Sequence, residues 1–166
     1  MKHFIYIVFS AVLIAASVTS CVKEKSFPPQ PVIVFKKFIL YNTDSADCII
    51  KFKDGDGDIG ILSGDTISED DLKMKYLYKL HTSDATFLPY DSDPGTAQFD
   101  TLFYGYRVPN ITPDGQYKAL DGEIKIKLRT APLFNPLHKV VKFEIVLTDR
   151  AGNKSNMVTT DDINLP

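Results

Sequence analysis

The sequence contains few of the residues on which catalytic, zinc and disulfide chemistry depends. It has no tryptophan, two cysteines and three histidines among its 166 residues. No Cys-x-x-Cys or His-x-x-x-His spacing occurs, which excludes the common zinc motifs. A Gly-x-Ser-x-Gly elbow and a glycine-rich phosphate loop before a helix are also absent. We therefore expect no catalytic residues and predict that the chain is not an enzyme.

The chain also lacks a strong excess of charge of either sign. Its 19 lysines and arginines are nearly balanced by 21 aspartates and glutamates, which gives a formal net charge of −2. Proteins that bind nucleic acid generally carry a basic excess that neutralises phosphates. Nucleic acid is therefore not an expected partner.

The first 20 residues have the pattern of a secretory signal. Lys2 gives a basic start, and an apolar run extends from Phe4 to Val18. A membrane span is the alternative, but about 20 apolar residues are needed to cross a bilayer and this run is shorter. We assign residues 1–20 to a signal peptide that is removed from the mature protein.

Cys21 follows small polar residues directly, and the junction resembles a bacterial lipoprotein signal. The resemblance implies that Cys21 is acylated and anchors the protein to the outer membrane, with the periplasmic or the surface side left open. The proline-rich residues 21–31 then form an extended tether. With Cys21 acylated, Cys48 is the remaining thiol, and its place in an alternating stretch predicts a small buried hydrophobic residue.

Residues 32–166 show the alternation of apolar and polar side chains that is typical of β-strands. The predicted strands are Val32–Tyr41, Cys48–Lys53, Met74–Leu80, Phe99–Val108, Glu123–Arg129, Val140–Thr148 and Asn156–Leu165. Turn-forming residues separate them, and no long amphipathic helix or internal repeat is present. The sequence predicts one all-β domain, an immunoglobulin-like antiparallel β-sandwich of six to eight strands. The tryptophan packed on a disulfide in antibody domains has no counterpart here.

Three carboxylates are concentrated directly after the second predicted strand. Asp54, Asp56 and Asp58 are separated only by glycines. Such closely spaced carboxylates repel one another unless a cation or a hydrogen-bond network offsets their charge. This loop is the strongest candidate site in the sequence.

A second polar loop is expected at the same end of the domain. In an immunoglobulin-like sandwich the second and the penultimate strands run in the same direction, so the loops that follow them share one pole. The later loop contains Asp149 and Asn153. We therefore predict a structural Ca²⁺ site in which five side chains supply oxygen ligands. These side chains are Asp54, Asp56, Asp58, Asp149 and Asn153.

An EF-hand and a tight polar turn are the two alternatives to this calcium site. An EF-hand requires glycine at its sixth position and glutamate at its twelfth, where this chain has Ile59 and Asp65. The preceding segment also alternates like a strand, so the EF-hand is rejected. A tight polar turn without metal stays open, because Asp-Gly pairs favour turns by themselves.

The stretch from Asp149 to Asn156 resembles the last hairpin of bacterial immunoglobulin-like domains. Together with the segments 52–60, 109–113 and 122–124, it resembles a family of small Bacteroidetes lipoproteins over most of the mature chain. The resemblance implies a lipid-anchored protein of the cell envelope and brings no enzymatic activity with it.

We accordingly predict a cell-envelope binding or accessory module with a protein or glycan partner. A structural spacer subunit without metal and a glycan-processing enzyme are the alternatives. Four tyrosines are candidates for an exposed platform on which a sugar ring stacks. These are Tyr90, Tyr104, Tyr106 and Tyr117.

Overall fold

Alternating side chains build two antiparallel β-sheets that enclose one apolar core. In the computed structural model, the described residues are 27–42, 45–66, 69, 71–90, 101–115, 117–129 and 137–165. The strands are β1 (Val32–Asn42), β2 (Ser45–Asp54), β3 (Leu72–Lys79), β4 (Leu88–Pro89), β5 (Phe103–Tyr106), β6 (Leu120–Leu128), β7 (Val140–Leu147), β8 (Val158–Thr159) and β9 (Ile163–Asn164). The described residues include no helix, and hence none that is long and apolar enough to cross a membrane.

The first sheet has three strands in the order β1-β2-β6. In β2, Cys48, Ile50 and Phe52 are buried in the core, whereas Lys51 and Lys53 are exposed on the outer face. The period of two in the sequence thus places every second side chain in the core. Burial raises the pKa of the Cys48 thiol to about 12, so this cysteine behaves as a small apolar residue.

The second sheet is centred on β3 and β7, which pair over their full length. Its buried side chains include Tyr76 from β3 and Phe143 from β7, whose rings meet edge to face with centroids 5.6 Å apart. The Tyr76 hydroxyl lies 2.8 Å from Nδ1 of His138, so this buried histidine is held by a core hydrogen bond. Strands β4 and β5 pair with β3, and β8 and β9 pair with β7.

The sandwich prediction is confirmed, and the described residues form nine strands rather than six to eight. The two-residue strand β4 lies between the predicted strands Met74–Leu80 and Phe99–Val108, where the sequence predicts no strand. The predicted strand Asn156–Leu165 is divided into β8 and β9, which pair with different parts of β7. The signal peptide, Cys21 and residues 22–26 of the tether lie outside the described residues.

One pole of the sandwich is closed by contacts between its sheets. The side chain of Asn156 donates to the carbonyl of Ile33 at 2.9 Å and accepts from the Ile33 amide at 2.9 Å. Because Ile33 lies at the start of β1 and pairs with Phe52 near the end of β2, this pole also contains the loop that follows β2.

Candidate metal centre

The acidic loop begins where β2 leaves its sheet at Asp54, and its glycines allow an unusually close turn. Gly57 and Gly60 have φ angles of 68° and 91°, a region that residues with a Cβ rarely adopt. A Cβ at Gly57 would collide with the carbonyl of Lys118, and one at Gly60 with the carbonyl of Pro109. The two glycines therefore let the loop curl tightly against neighbouring backbone.

The loop after β7 lies directly against the acidic loop. The amide of Ala151 donates to Asp58 Oδ2 at 3.0 Å, and the amide of Arg150 donates to the Asp58 carbonyl at 3.3 Å. These contacts join segments about ninety residues apart in sequence, as expected when the loops share a pole. Each of four carboxylates offers an oxygen within 4.8 Å of the others. The four are Asp54, Asp56, Asp58 and Asp149.

Two carboxylate oxygens of this cluster are buried and have no hydrogen-bond partner in the described part of the chain. They are Oδ1 of Asp54 and Oδ1 of Asp58. The Asp54 side chain is inaccessible to solvent, and its other oxygen accepts from the Asp58 amide at 3.0 Å. Leaving a buried charged group unpaired is costly, so each such oxygen calls for a partner.

Burial and mutual repulsion also raise the pKa values of two carboxylates in the cluster. Burial, together with the charges of Asp56 and Asp58, raises the pKa of Asp54 to about 6. Burial and the charge of Asp149 also raise the pKa of Asp58. Both shifts mean that the negative form is disfavoured when no cation is present, because like charges are held together away from water.

Asn153 lies beside Asp149 and orients its carboxylate. Its backbone amide donates to Asp149 Oδ1 at 2.7 Å, and its side-chain nitrogen donates to Oδ2 at 2.9 Å. A carboxylate oxygen has more than one acceptor position, so the Asp149 oxygens can still bind a further partner in the cluster. Asn153 is thus placed to support a ligand through its nitrogen, whereas the sequence suggested that it supplies an oxygen directly.

Arg150 contacts three segments through its guanidinium. The sequence did not identify it as a site residue. Its Nη1 donates to the carbonyls of Ile59 and Gly60 at 3.3 and 2.7 Å and to Asn110 Oδ1 at 3.0 Å. Its Nη2 donates to Thr112 Oγ1 at 2.6 Å. A planar guanidinium with several fixed donors is suited to such a contact, and it holds the acidic loop in place from the side.

The start of the described chain also supports the acidic loop. The Gly55 amide donates to the Pro28 carbonyl at 2.8 Å. A Cβ at Gly55 would collide with the carbonyl of Phe27, so glycine is required for this approach. Lys53 lies over the Phe27 ring at 5.1 Å from its centroid. The segment that precedes β1 is thus packed against the site.

The chemistry of the ligand set favours a hard divalent cation. Within the described residues, the metal-ligating side chains that cluster are four carboxylates, with no histidine or cysteine among them. Oxygen ligands of this kind suit Ca²⁺, Mg²⁺ or Mn²⁺, whereas zinc and copper favour nitrogen and sulfur. Asp54, Asp58 and Asp149 would hold the ion from both loops, with Asp56 on the exposed side.

A groove of about 710 Å³ extends from this site along the outer face of the second sheet. Its walls include Asp149 and Arg150 from the site and the exposed side chains of Phe103 and Met157. Three of the four candidate tyrosines, Tyr90, Tyr104 and Tyr106, pack against the core instead of forming an exposed platform. The fourth, Tyr117, is exposed.

No protein-family model matches this chain, and no curated protein or solved structure matches it either. The fold and the site together define an all-β sandwich with an acidic cluster between two loops at one pole. The function of this protein is therefore inferred from its own geometry.

The raised pKa of Asp54 leads to a prediction about pH. Since the folded-state pKa of about 6 lies above the ordinary value of 3.8, the folded state binds a proton more tightly than the unfolded state. Ionised Asp54 therefore destabilises the metal-free protein above pH 6, and this cost disappears as the pH falls toward 4. We expect the stability of the native chain to approach that of Asp54→Asn as the pH falls from 7 to 5.

The comparison with Asp54→Asn is needed because His138 acts in the opposite direction. Burial lowers the pKa of His138, so its protonation in the unfolded state reduces stability as the pH falls below about 6.5. Both proteins share this effect, and it cancels in their difference. Thermal melting in chelator at several pH values measures that difference, and a gap that stays constant or widens toward pH 5 would contradict the assignment.

Proposed function

We propose that this protein is a β-sandwich module of the cell envelope whose two polar loops are joined by a structural Ca²⁺ ion. The observation that carries the proposal is the buried, unpartnered Oδ1 of Asp54 within a group of four carboxylates. A cation is the partner that satisfies this oxygen and removes the repulsion at the same time. It would tie the end of β2 in one sheet to the end of β7 in the other.

Calcium fits this arrangement better than magnesium. Ca²⁺ takes six to eight oxygens in flexible geometry, whereas Mg²⁺ requires a near-ideal octahedron and retains several waters. Loop carboxylates with glycines between them can supply a variable number of oxygens, and loop carbonyls or water can complete the shell. Extracellular modules bind Ca²⁺ with dissociation constants of about 10⁻⁴ to 10⁻³ M, which suits stabilisation of a loop.

The envelope location is supported by the leader and by Cys21, whose junction has the lipoprotein pattern. In this setting the domain would act as a lipid-anchored binding or accessory module, and the groove beside Asp149 would receive a partner's surface.

A spacer subunit is the second candidate. It is favoured by the partial burial of Tyr90, Tyr104 and Tyr106, which pack against the core and form no exposed sugar-stacking platform among themselves.

Thermal melting with Ca²⁺ and with chelator tests the structural role of the ion. With a dissociation constant of about 10⁻⁴ M, Ca²⁺ at about 10 mM adds roughly 2.7 kcal/mol to the free energy of unfolding. For a domain of this size we expect the midpoint to rise by about 5 to 10 °C.

The control variant is Asp161→Asn, which removes an exposed carboxylate outside the site and should retain the full calcium effect. Mg²⁺ at the same concentration should give a smaller increase. Identical midpoints with Ca²⁺ and with chelator would refute the proposed function.

A further inference from the structure

The outer face of the β1-β2-β6 sheet carries a marked excess of positive charge. Seven basic residues project from its three strands or follow them directly, and we call this surface the basic face. Its members are Lys36, Lys37, Lys51, Lys53, Lys125, Lys127 and Arg129. Three acidic residues, Asp47, Asp121 and Glu123, lie among them. A chain with a net charge of −2 thus concentrates cations on one side.

The strands of the second sheet provide an internal comparison, because all four of their lysines form ion pairs. Lys73 pairs with Glu69, Lys75 with Glu144, and both Lys79 and Lys142 pair with Asp162. On the basic face, Lys36 and Lys125 form such pairs, with Glu123 and Asp47. Within the described chain, no ion pair is formed by Lys37, Lys51, Lys127 or Arg129. Lys37 and Lys51 lie near Glu123, and Lys127 lies near Asp47, without forming an ion pair, so these cations stay accessible to an external anion.

Exposed apolar side chains border these cations along the edge strand β1. Val32 is 40% exposed and Val34 57% exposed, and they pair in register with Lys53 and Lys51. Tyr41, also 57% exposed, lies at the other end of the same strand. Lysines beside apolar and aromatic side chains are the composition of surfaces that rest at a lipid headgroup layer.

The position of the N-terminal segment favours a membrane over a soluble polyanion. Residues 27–31 lead directly into Val32 at the edge of the basic face. From Cys21 to Val32 the chain spans eleven residues, which reach at most about 40 Å when fully extended. A protein anchored through Cys21 would therefore keep this sheet close to the bilayer.

We propose that the basic face docks on a membrane surface that carries anionic phospholipids. Lys51, Lys127 and their neighbours contact headgroup phosphates, while Val32 and Val34 enter the interface. The orientation places the long axis of the strands along the membrane. This interaction depends on observations separate from the metal centre, since no member of the acidic cluster lies on the basic face.

Vesicle binding tests the proposal with the mature chain from residue 21, carrying Cys21→Ser so that no lipid contributes. Both sheets consist of residues between 32 and 164, so this chain retains the whole fold. Binding is measured by co-sedimentation in chelator, which excludes bridging by Ca²⁺. Vesicles contain phosphatidylcholine alone or with about one third phosphatidylglycerol.

We expect binding to the anionic vesicles and none to phosphatidylcholine alone, with most of it lost on raising the salt from about 0.1 to about 1 M. Each basic residue near an anionic surface contributes about 1 kcal/mol, so Lys51→Gln with Lys127→Gln should weaken binding about thirty-fold. Lys139→Gln with Lys154→Gln changes the net charge equally at exposed sites off the face and should bind like the native chain.

Three results would overturn the proposal. One is the absence of binding to anionic vesicles, and another is equal weakening by the two double variants. The third is binding to dextran sulfate without binding to vesicles, which would assign the face to a soluble polyanion. Circular dichroism of both double variants verifies that they are folded. None of these results depends on whether the acidic cluster binds Ca²⁺.

Discussion

Asp54→Asn should have opposite effects on the metal-free and the calcium-bound protein. Without metal, the substitution removes a buried charge whose Oδ1 has no partner among the described residues, and we expect the free energy of unfolding to rise by roughly 1 to 3 kcal/mol. The asparagine oxygen can still accept from the Asp58 amide, so the loop keeps its turn. With Ca²⁺, a ligand is lost, and the increase of roughly 2.7 kcal/mol expected for the native chain should largely disappear.

Chemical unfolding in chelator and in about 10 mM Ca²⁺ measures both effects in one series. Asp161→Asn serves as the matched control, because it removes a charge without touching the loops, and it should change neither quantity by more than about 0.5 kcal/mol. If Asp54→Asn destabilises the metal-free protein, the cluster is not under electrostatic strain. If it leaves the calcium effect intact, Asp54 is not a ligand.

Arg150→Ala should destabilise the domain by about 2 to 3 kcal/mol in chelator and by more in Ca²⁺. The substitution removes every bond from the guanidinium to Ile59, Gly60, Asn110 and Thr112. Hydrogen bonds to charged groups are stronger than neutral ones, and the carbonyls at Ile59 and Gly60 would lose a donor in a largely buried setting. Calcium affinity should fall as well, because the acidic loop is no longer held in its bound shape.

Arg150→Lys distinguishes the contribution of the positive charge to stability from that of the guanidinium's hydrogen bonds. A lysine keeps the positive charge but cannot donate to all of these acceptors at once, so it should recover less than half of the lost stability. Arg129→Ala is the control for removing an exposed arginine and should cost less than about 0.5 kcal/mol. Equal losses for Arg150→Ala and Arg129→Ala would show that the guanidinium does not fasten the loops.

The sheets were largely predictable because their signal is local. In β2, Cys48, Ile50 and Phe52 alternate with residues that face outward, and a period of two directly identifies the core side of a strand. The same holds for β6 and β7. The short strands were harder to predict, since β4 consists of Leu88 and Pro89 and exists only because it pairs with β3. Two residues carry no periodicity.

The acidic cluster was predictable in part. Closely spaced aspartates identified one loop, and the strand order of a sandwich identified the other, so the meeting of Asp58 with the segment after β7 followed from topology. The orientation of Asn153 did not, because a side-chain amide can present either its oxygen or its nitrogen. The structure shows the nitrogen donating to Asp149.

The role of Arg150 could not be derived from the sequence by spacing rules. Its partners include two backbone carbonyls, which have no sequence signature, and Asn110 and Thr112 lie about forty residues away. In the sequence, the segment around Asn110 contributes to the family resemblance but carries no signal of a contact with Arg150. In the structure, Asn110 and Thr112 accept hydrogen bonds from the guanidinium that also holds the acidic loop.

The most direct test of the calcium site is to locate the ion crystallographically. Crystals grown in millimolar Ca²⁺, or soaked with Tb³⁺ as an anomalous scatterer, should show one strong peak at the pole. We expect it about 2.3 to 2.6 Å from oxygens of Asp54 and Asp58 in one loop and of Asp149 in the other. No peak at this position, or a peak that contacts only the exposed Asp56, would contradict the claim that the two loops form a metal site together.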